Sequence, residues 1–90
     1  MTYRVKVLKR AQAQVEALPG HMRQRVRRTI SQLADNPRPE VAKALYGELK
    51  GYYRIRIDAY RIIYTIHDEV VLVEIVRVAK RTPRTYDGLP

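Results

Sequence analysis

Cysteine is absent from this 90-residue chain, so neither a disulfide framework nor a thiolate zinc site is available. Phe and Trp are absent too, and all seven aromatic residues are tyrosines. Acidic residues are scarce: nine Asp and Glu stand against 18 Lys and Arg, a formal net charge of +9. No apolar run approaches the roughly 18 residues of a membrane span. The N-terminus lacks the apolar core of a secretory leader. A cytoplasmic protein with no membrane association is expected. The two histidines, His21 and His67, lie far apart with no carboxylate cluster between them. Neither a metal site nor a cofactor is expected from that pattern.

What is present is arginine. Ninety residues make one small domain, residues 1–90, with room for one core. The charge and a pI near 10.3 call for a polyanionic partner, nucleic acid before an anionic surface. The tyrosines serve either as amphipathic filler at sheet margins or, through their hydroxyls, as working surface groups.

The chain opens with Thr2–Leu8, which alternates Tyr3, Val5 and Val7 against Arg4 and Lys6, a half-buried strand. From Lys9 or Arg10 to Leu18 the apolar spacing Ala11, Val15, Leu18 is helical. Pro19-Gly20 breaks it, and a second helix is expected over His21–Asp35. Its apolar stripe is Met22, Val26, Ile30 and Leu33; its outer face carries Arg23, Arg25, Arg27 and Arg28. Two such helices across a short break form an antiparallel hairpin with a common apolar side. Asn36-Pro37-Arg38-Pro39 ends the helical region. For Glu40–Lys50 the expectation is a short turn of helix, then an approach to the sheet through Leu45, with Gly47 and Gly51 as bends.

Gly51–Ile66 reads as two strands about a turn at Asp58-Ala59. A two-residue or four-residue turn pairs Ile57 with Tyr60, Arg56 with Arg61 and Arg54 with Ile63; a bulged three-residue loop would not. Opposed side chains share a face, so Arg54, Arg56 and Arg61 project together. Like charges directly opposite each other destabilise a hairpin, which makes an anionic ligand the natural reason for keeping them. A last strand over Val70–Val78 follows a turn at Asp68-Glu69, with Ile66 opposite Val71, Tyr64 opposite Val73 and Ile62 opposite Ile75. One face then carries Ile55, Ile57, Ile62, Tyr64, Ile66, Val71, Val73 and Ile75 for the helices to cover. The other carries Arg54, Arg56, Arg61, Ile63, Thr65, Leu72, Glu74 and Val76. A one-residue slip would put arginines into the core. The expected fold is therefore α+β: an N-terminal strand, a two-helix antiparallel hairpin, then a three-stranded antiparallel meander, with helices on one face. The tail holds Lys80, Arg81, Arg84 and Tyr86; it either folds over the open face or frays as a basic terminus.

The strings L-x-G-x-x-x-G-Y-Y-R-I-R-I, Y-R-I-I-Y and V-A-K-R-x-x-x-x-Y, with this element order, resemble the RelE/ParE superfamily of toxins from toxin–antitoxin pairs over nearly the whole chain. The resemblance implies the RelE-like fold and, for the RelE-type branch, an mRNA endonuclease that enters the ribosomal A site and cuts there. It implies a cognate antitoxin, contacts with ribosome, mRNA and ribosomal RNA, and operator DNA bound through the antitoxin. The family's catalytic positions map onto Arg54, Arg56, Arg61, Arg81 and Tyr86. RNA-binding positions are Arg54, Arg56, Lys80, Arg84, Arg23 and Arg27. Two departures stand out. The turn Ile57-Asp58-Ala59-Tyr60 lacks the glycine many relatives have, and arginines occupy Arg54 and Arg56 where RelE members often have lysines. The alternatives are a ParE-like gyrase poison without nuclease activity, or a non-catalytic basic RNA- or DNA-binding module.

Metal-independent RNA cleavage needs a base for the 2′-OH, cations for charge on phosphorus and help for the leaving oxygen. Arginine bonds two phosphate oxygens at once but scarcely gives up its proton. The base candidates are Tyr86, Glu74, Lys80 and His67. Tyr86 needs its pKa lowered, which neighbouring arginines favour. Glu74 is read first as a salt-bridge partner of the arginines, His67 as an exposed loop residue, and His21 as structural.

Overall fold

The computed structural model describes residues 2–89. Strand β1 (Arg4–Val7) leads into helix α1 (Lys9–Glu16) and helix α2 (Gly20–Gln32). A short strand β2 (Lys43–Ala44) precedes β3 (Tyr52–Ile57), β4 (Tyr60–His67) and β5 (Leu72–Lys80). The sheet order is β1-β5-β4-β3-β2. β1 runs parallel to β5, and the other neighbours are antiparallel. The α1–α2 hairpin is the connection that carries the chain from β1 across one face of the sheet.

The helices bury the stripes expected of them: Ala11 and Val15 from α1, Met22, Val26 and Ile30 from α2, with Leu18 and Leu33 just beyond their ends. α1 stops at Glu16 because Pro19 sets the entry to α2, where its carbonyl accepts from the Arg23 N–H at 2.8 Å. α2 gives way near Leu33 to single tight turns that run on to Asp35. These side chains meet Ile55, Ile57, Ile62, Tyr64, Val73, Ile75 and Val78 in one core. Each aliphatic side chain so buried contributes roughly 1.5–3 kcal/mol before entropy is counted.

Glu40–Lys50 differs from the expected turn of helix. It supplies β2, which pairs Lys43 with Arg54 and Ala44 with Tyr53, then a single 3-10 turn over Gly47–Leu49. Gly47 and Gly51 do serve as bends, at φ +67° and +101°. The β3–β4 pairing is the one read from the sequence: Ile57 faces Tyr60, Arg56 faces Arg61 and Arg54 faces Ile63. Asp58 supplies the positive φ, +53°, that tight primed turns place at the first central residue. Aspartate tolerates that region better than most residues.

The β4–β5 register departs from expectation. Ile66 faces Val73, Tyr64 faces Ile75 and Ile62 faces Val78. The cause of the first difference is a 3-10 turn over Asp68–Val70, with Val71 left-handed at φ +56°. This longer connection starts β5 at Leu72 and moves the pairing by two residues, which keeps every side chain on its face. The cause of the second is a β-bulge opposite Ile63/Tyr64. Val76 has no partner in the ladder, and the one-residue step brings Val78 into the core and Arg77 opposite Ile63. Val76 and Ile63 are buried but lie outside the core shared with the helices.

A polar knot fastens the proline segment to the sheet. Arg38 gives two bonds to the Asp68 carboxylate, 3.2 and 2.8 Å, and a third to the Tyr53 hydroxyl at 3.3 Å. Tyr3 donates to the same carboxylate at 2.7 Å. The Arg38 hydrogen bonds and the Tyr3 hydroxyl hold the Asp68 carboxyl at about 2, below its ordinary 3.8. Beneath them Tyr64, fully buried, donates to the Pro37 carbonyl at 2.8 Å and stacks on Tyr53. Burial pushes the Tyr64 phenol well above its usual range. Among the described residues no helix is long and apolar enough to cross a membrane.

Candidate nucleic-acid site

Arg56 and Arg61 face each other across β3 and β4, and Arg54 is two residues along the same strand. All three stand on the face away from the helices. The Ala59 carbonyl accepts from the Arg81 N–H at 3.0 Å. That bond brings the end of β5 to the β3–β4 turn and so sets Arg81 beside Arg56 and Arg61. The tail then folds back over the open face. Thr85, buried, accepts from the Thr82 N–H at 2.7 Å and donates from its hydroxyl to the Thr82 carbonyl at 2.8 Å. Of the two fates open to the tail in the sequence, folding over the sheet is the one observed.

The result is a groove of about 680 Å³ lined by Arg54, Arg56, Arg61, Arg81 and Tyr86, with Leu45, Thr82, Pro83 and Thr85 completing its walls. An adjoining groove of about 390 Å³ is lined by Arg56, Arg61, Arg81, Lys80, Tyr60 and the Asp58-Ala59 turn. Arg56, Arg61 and Arg81 therefore line both, and Lys80 lies over the Tyr60 ring at 5.9 Å. Arg84, within the tail, faces away from these grooves and lines a further one shared with Arg10 and Arg77. Arg23 and Arg27 sit on α2, on the helix side of the sheet, and line none of these grooves.

Arg61 is the centre of the cluster and is 6% exposed. Its Nε is buried with no hydrogen-bond partner among the described residues. Burial lowers its pKa; Tyr86 offsets this, and Arg54, Arg56 and Arg81 lower it further. None of the salt bridges among the described residues involves these four arginines. A desolvated cation with cationic neighbours and no carboxylate gains most from an anion that enters the groove.

Two assignments need correction. Glu74 does not pair with the arginines: it lies 3.0 Å from His67 Nε2. His67 is the last residue of β4, half-buried, and also contacts Thr65 Oγ1 at 3.1 Å, so it is not a loose loop residue. The longer β4–β5 turn puts Glu74 opposite Thr65, out of the grooves. His21 is exposed near the start of α2. Among the described residues no group of three or more His, Asp or Glu comes together.

Two residues escaped the sequence reading. Arg77, 5% exposed, donates from Nη1 to the Thr85 carbonyl at 2.8 Å and to the Asp87 carbonyl. Its signal was the doublet Ile75-Val76, where strict alternation loses a step. Arg25 donates to Asp58 at 2.6 Å; a contact 33 residues apart in sequence left no local trace.

Residues 5–83 match the family model of the ParE toxin of type II toxin–antitoxin systems. Among solved structures, the toxin–antitoxin complex RelBE2 of Mycobacterium tuberculosis contains a chain 32% identical to this one. It aligns over 90% of this chain and 100% of that chain, with a TM-score of 0.79. The archaeal RelE–RelB complex of Pyrococcus horikoshii gives 28% identity over 92% and 99%, with a TM-score of 0.80. The intact RelBE complex of E. coli gives 27% over 89% and 98%, with a TM-score of 0.76. No curated protein sequence matches the chain. With the fold shared throughout and the family model spanning nearly all of the sequence, this chain belongs to the RelE/ParE superfamily, on its RelE-like side, and is a toxin of a type II toxin–antitoxin system.

Proposed function

We propose that this toxin is a ribosome-dependent mRNA endonuclease, acting in the cytoplasm as a single domain and without metal. The observation that carries the reading is the buried, unpaired Arg61 at the centre of a groove shared with Arg54, Arg56, Arg81 and Tyr86. The reaction attacks phosphorus with the 2′-oxygen and breaks the P–O5′ bond. A 2′,3′-cyclic phosphate and a free 5′-OH result. The 2′-OH loses its proton to a base, and the leaving 5′-oxygen gains one. Arg61 binds the scissile phosphate and stabilises charge on its equatorial oxygens. Arg54 and Arg56 hold the backbone, and Arg81 assists at the leaving group or the next phosphate. Tyr86 serves in proton transfer or stacks on a base. The ribosome holds the mRNA in the A site, which leaves the toxin to orient and stabilise. A cognate antitoxin blocks the basic face and carries the complex to operator DNA.

The test is primer extension on a translated message after induction, with single-turnover cleavage on programmed ribosomes. New message ends within the reading frame at codon spacing support the proposal. Arg61→Ala and Arg81→Ala should each lose about 10²–10³ in rate while still binding ribosomes. Wild-type rates for the Arg61, Arg81 and Tyr86 alanine variants at saturating toxin would overturn the assignment. The ParE family match favours one other reading, a gyrase poison. DNA breaks and an SOS response ahead of any message cleavage would establish it instead.

A further inference from the structure

Tyr86 lies past the last strand, in a segment with no sheet ladder of its own to order it. Here the tie is one buried guanidinium. Arg77 Nη1 donates to the carbonyls of Thr85 and Asp87, the residues on either side of Tyr86. Below that point the Thr85 hydroxyl bonds the Lys80 carbonyl at 3.2 Å and both the N–H and the carbonyl of Thr82. Thr85 is 3% exposed and Arg77 is 5% exposed, so the Arg77–Thr85 bond is closed to water and the others are partly shielded. Gly88 lies next to the same guanidinium, a Cβ there standing at an ordinary contact distance of 3.8 Å from Arg77 Nη2, and its φ of +68° is what favours glycine. Arg77 reaches this place only because the bulge at Val76 turns it to the tail side of the sheet. Its Nε remains without a partner among the described residues. An arginine buried with no salt-bridged carboxylate, only the more distant charge of Asp87, is a costly way to pack a strand. What it gives in return is a fixed backbone on both sides of one tyrosine.

We infer that Arg77, with Thr85, is the positioning residue for Tyr86: it clamps the backbone around that tyrosine and so builds the tail wall of the arginine groove. It touches neither RNA nor reacting atoms. The part of this inference that concerns cleavage rests on the nuclease reading above; the part that concerns tail order does not.

The experiment uses the full chain with Arg77→Met, which keeps the buried stem, and Thr85→Val, which keeps volume and removes the hydroxyl. Amide hydrogen exchange is followed at Thr82, Thr85 and Asp87, with β3 and β4 amides as the control for folding. Both variants should lose protection in the tail and keep it in the strands. Unchanged tail protection in both overturns the clamp, whatever the activity. Cleavage on programmed ribosomes is then measured for Arg77→Met, Tyr86→Ala and the pair. The inference expects each single variant to lose rate at unchanged ribosome affinity. The double variant should stay within about twofold of Tyr86→Ala, because both changes remove the same contribution. Losses that multiply would show Arg77 acting apart from Tyr86 and overturn it. If the wild type cuts no message but the exchange result holds, the nuclease reading fails and the clamp stands.

Discussion

Arg25 Nη1 lies 2.6 Å from Asp58 Oδ2, an ion pair that joins α2 to the β3–β4 turn at the rim of the arginine grooves. Asp58 lines the smaller groove beside Arg56, Arg61 and Arg81. Both partners are well exposed, at 49% and 62%, so the pair is worth at most about 1 kcal/mol to stability. Its larger effect is to occupy a carboxylate that would otherwise turn toward the site. Arg25→Ala should therefore weaken binding of a short single-stranded RNA by about two- to fivefold, the equivalent of that energy. Adding Asp58→Asn should restore it. Fluorescence anisotropy of the single and double variants decides the matter. Failure of Asp58→Asn to rescue would mean that Arg25 itself contacts RNA.

Arg61 carries opposite expectations for stability and activity. Its guanidinium is desolvated, faces Arg56 directly and has no carboxylate partner. Arg61→Met keeps the buried stem and removes the charge. Stability should rise by on the order of 1 kcal/mol in urea melts, while cleavage falls about 10²–10³. A group kept at a cost to the fold is a group kept for a ligand. A destabilised Arg61→Met would instead make Arg61 an anchor of the sheet.

The part of the site that was legible in the sequence is the part written by two patterns at once. In Tyr52–Ile66 the apolar alternation and the arginine alternation agree, so only one register keeps Arg54, Arg56 and Arg61 out of the core. β5 lacked that second pattern. Its apolar run Ile75-Val76 fits either face, and the bulge that resolves it is a feature of the pairing with β4 and not of the β5 sequence alone. Hence the sequence alone does not fix the faces of Arg77 and Val78, which lie beyond the bulge, and the longer β4–β5 turn, which has no pattern of its own, moves Glu74 from the arginines to His67. β2 is two residues long, too short for any periodicity to show. The tail was ambiguous because its anchor, Arg77, was itself hidden behind the bulge. Contacts such as Arg38 with Asp68 join segments 30 residues apart and leave no mark on either segment alone.

Acid should act on the Arg38–Asp68–Tyr3 knot. The folded-state value of Asp68, about 2, lies below the ordinary 3.8, so the folded protein holds the ionised form more tightly than the unfolded chain does. The stabilisation is therefore fully present above about pH 4 and is lost as the pH falls toward 2. Asp68→Asn should lower the urea midpoint at neutral pH and remove this part of the acid dependence. Its curve and the wild-type curve should converge near pH 2. Parallel curves between pH 4 and 2 would show that the carboxylate is not held by Arg38 and Tyr3 in the way the geometry describes.

Salt dependence separates the arginines that meet RNA from those that merely raise the charge. Each phosphate neutralised on a single strand contributes about −0.7 to the slope of log K against log salt. Arg54 lines the main groove, so Arg54→Gln should weaken binding of a short RNA and reduce the slope by about 0.7. Arg23 and Arg27 lie on the helix side, away from the grooves. Arg23→Gln and Arg27→Gln should leave both affinity and slope for the short RNA unchanged. Any contribution they make is to ribosomal RNA, and it should appear as weaker ribosome binding in the same variants. Arg84, across the tail beside Arg10, should affect only an RNA long enough to cross from one groove to the other. Titrations at several salt concentrations with RNAs of two lengths give all of these values. Equal loss of slope for Arg54→Gln and Arg23→Gln on the short RNA would mean that charge alone, and not the groove, sets the binding.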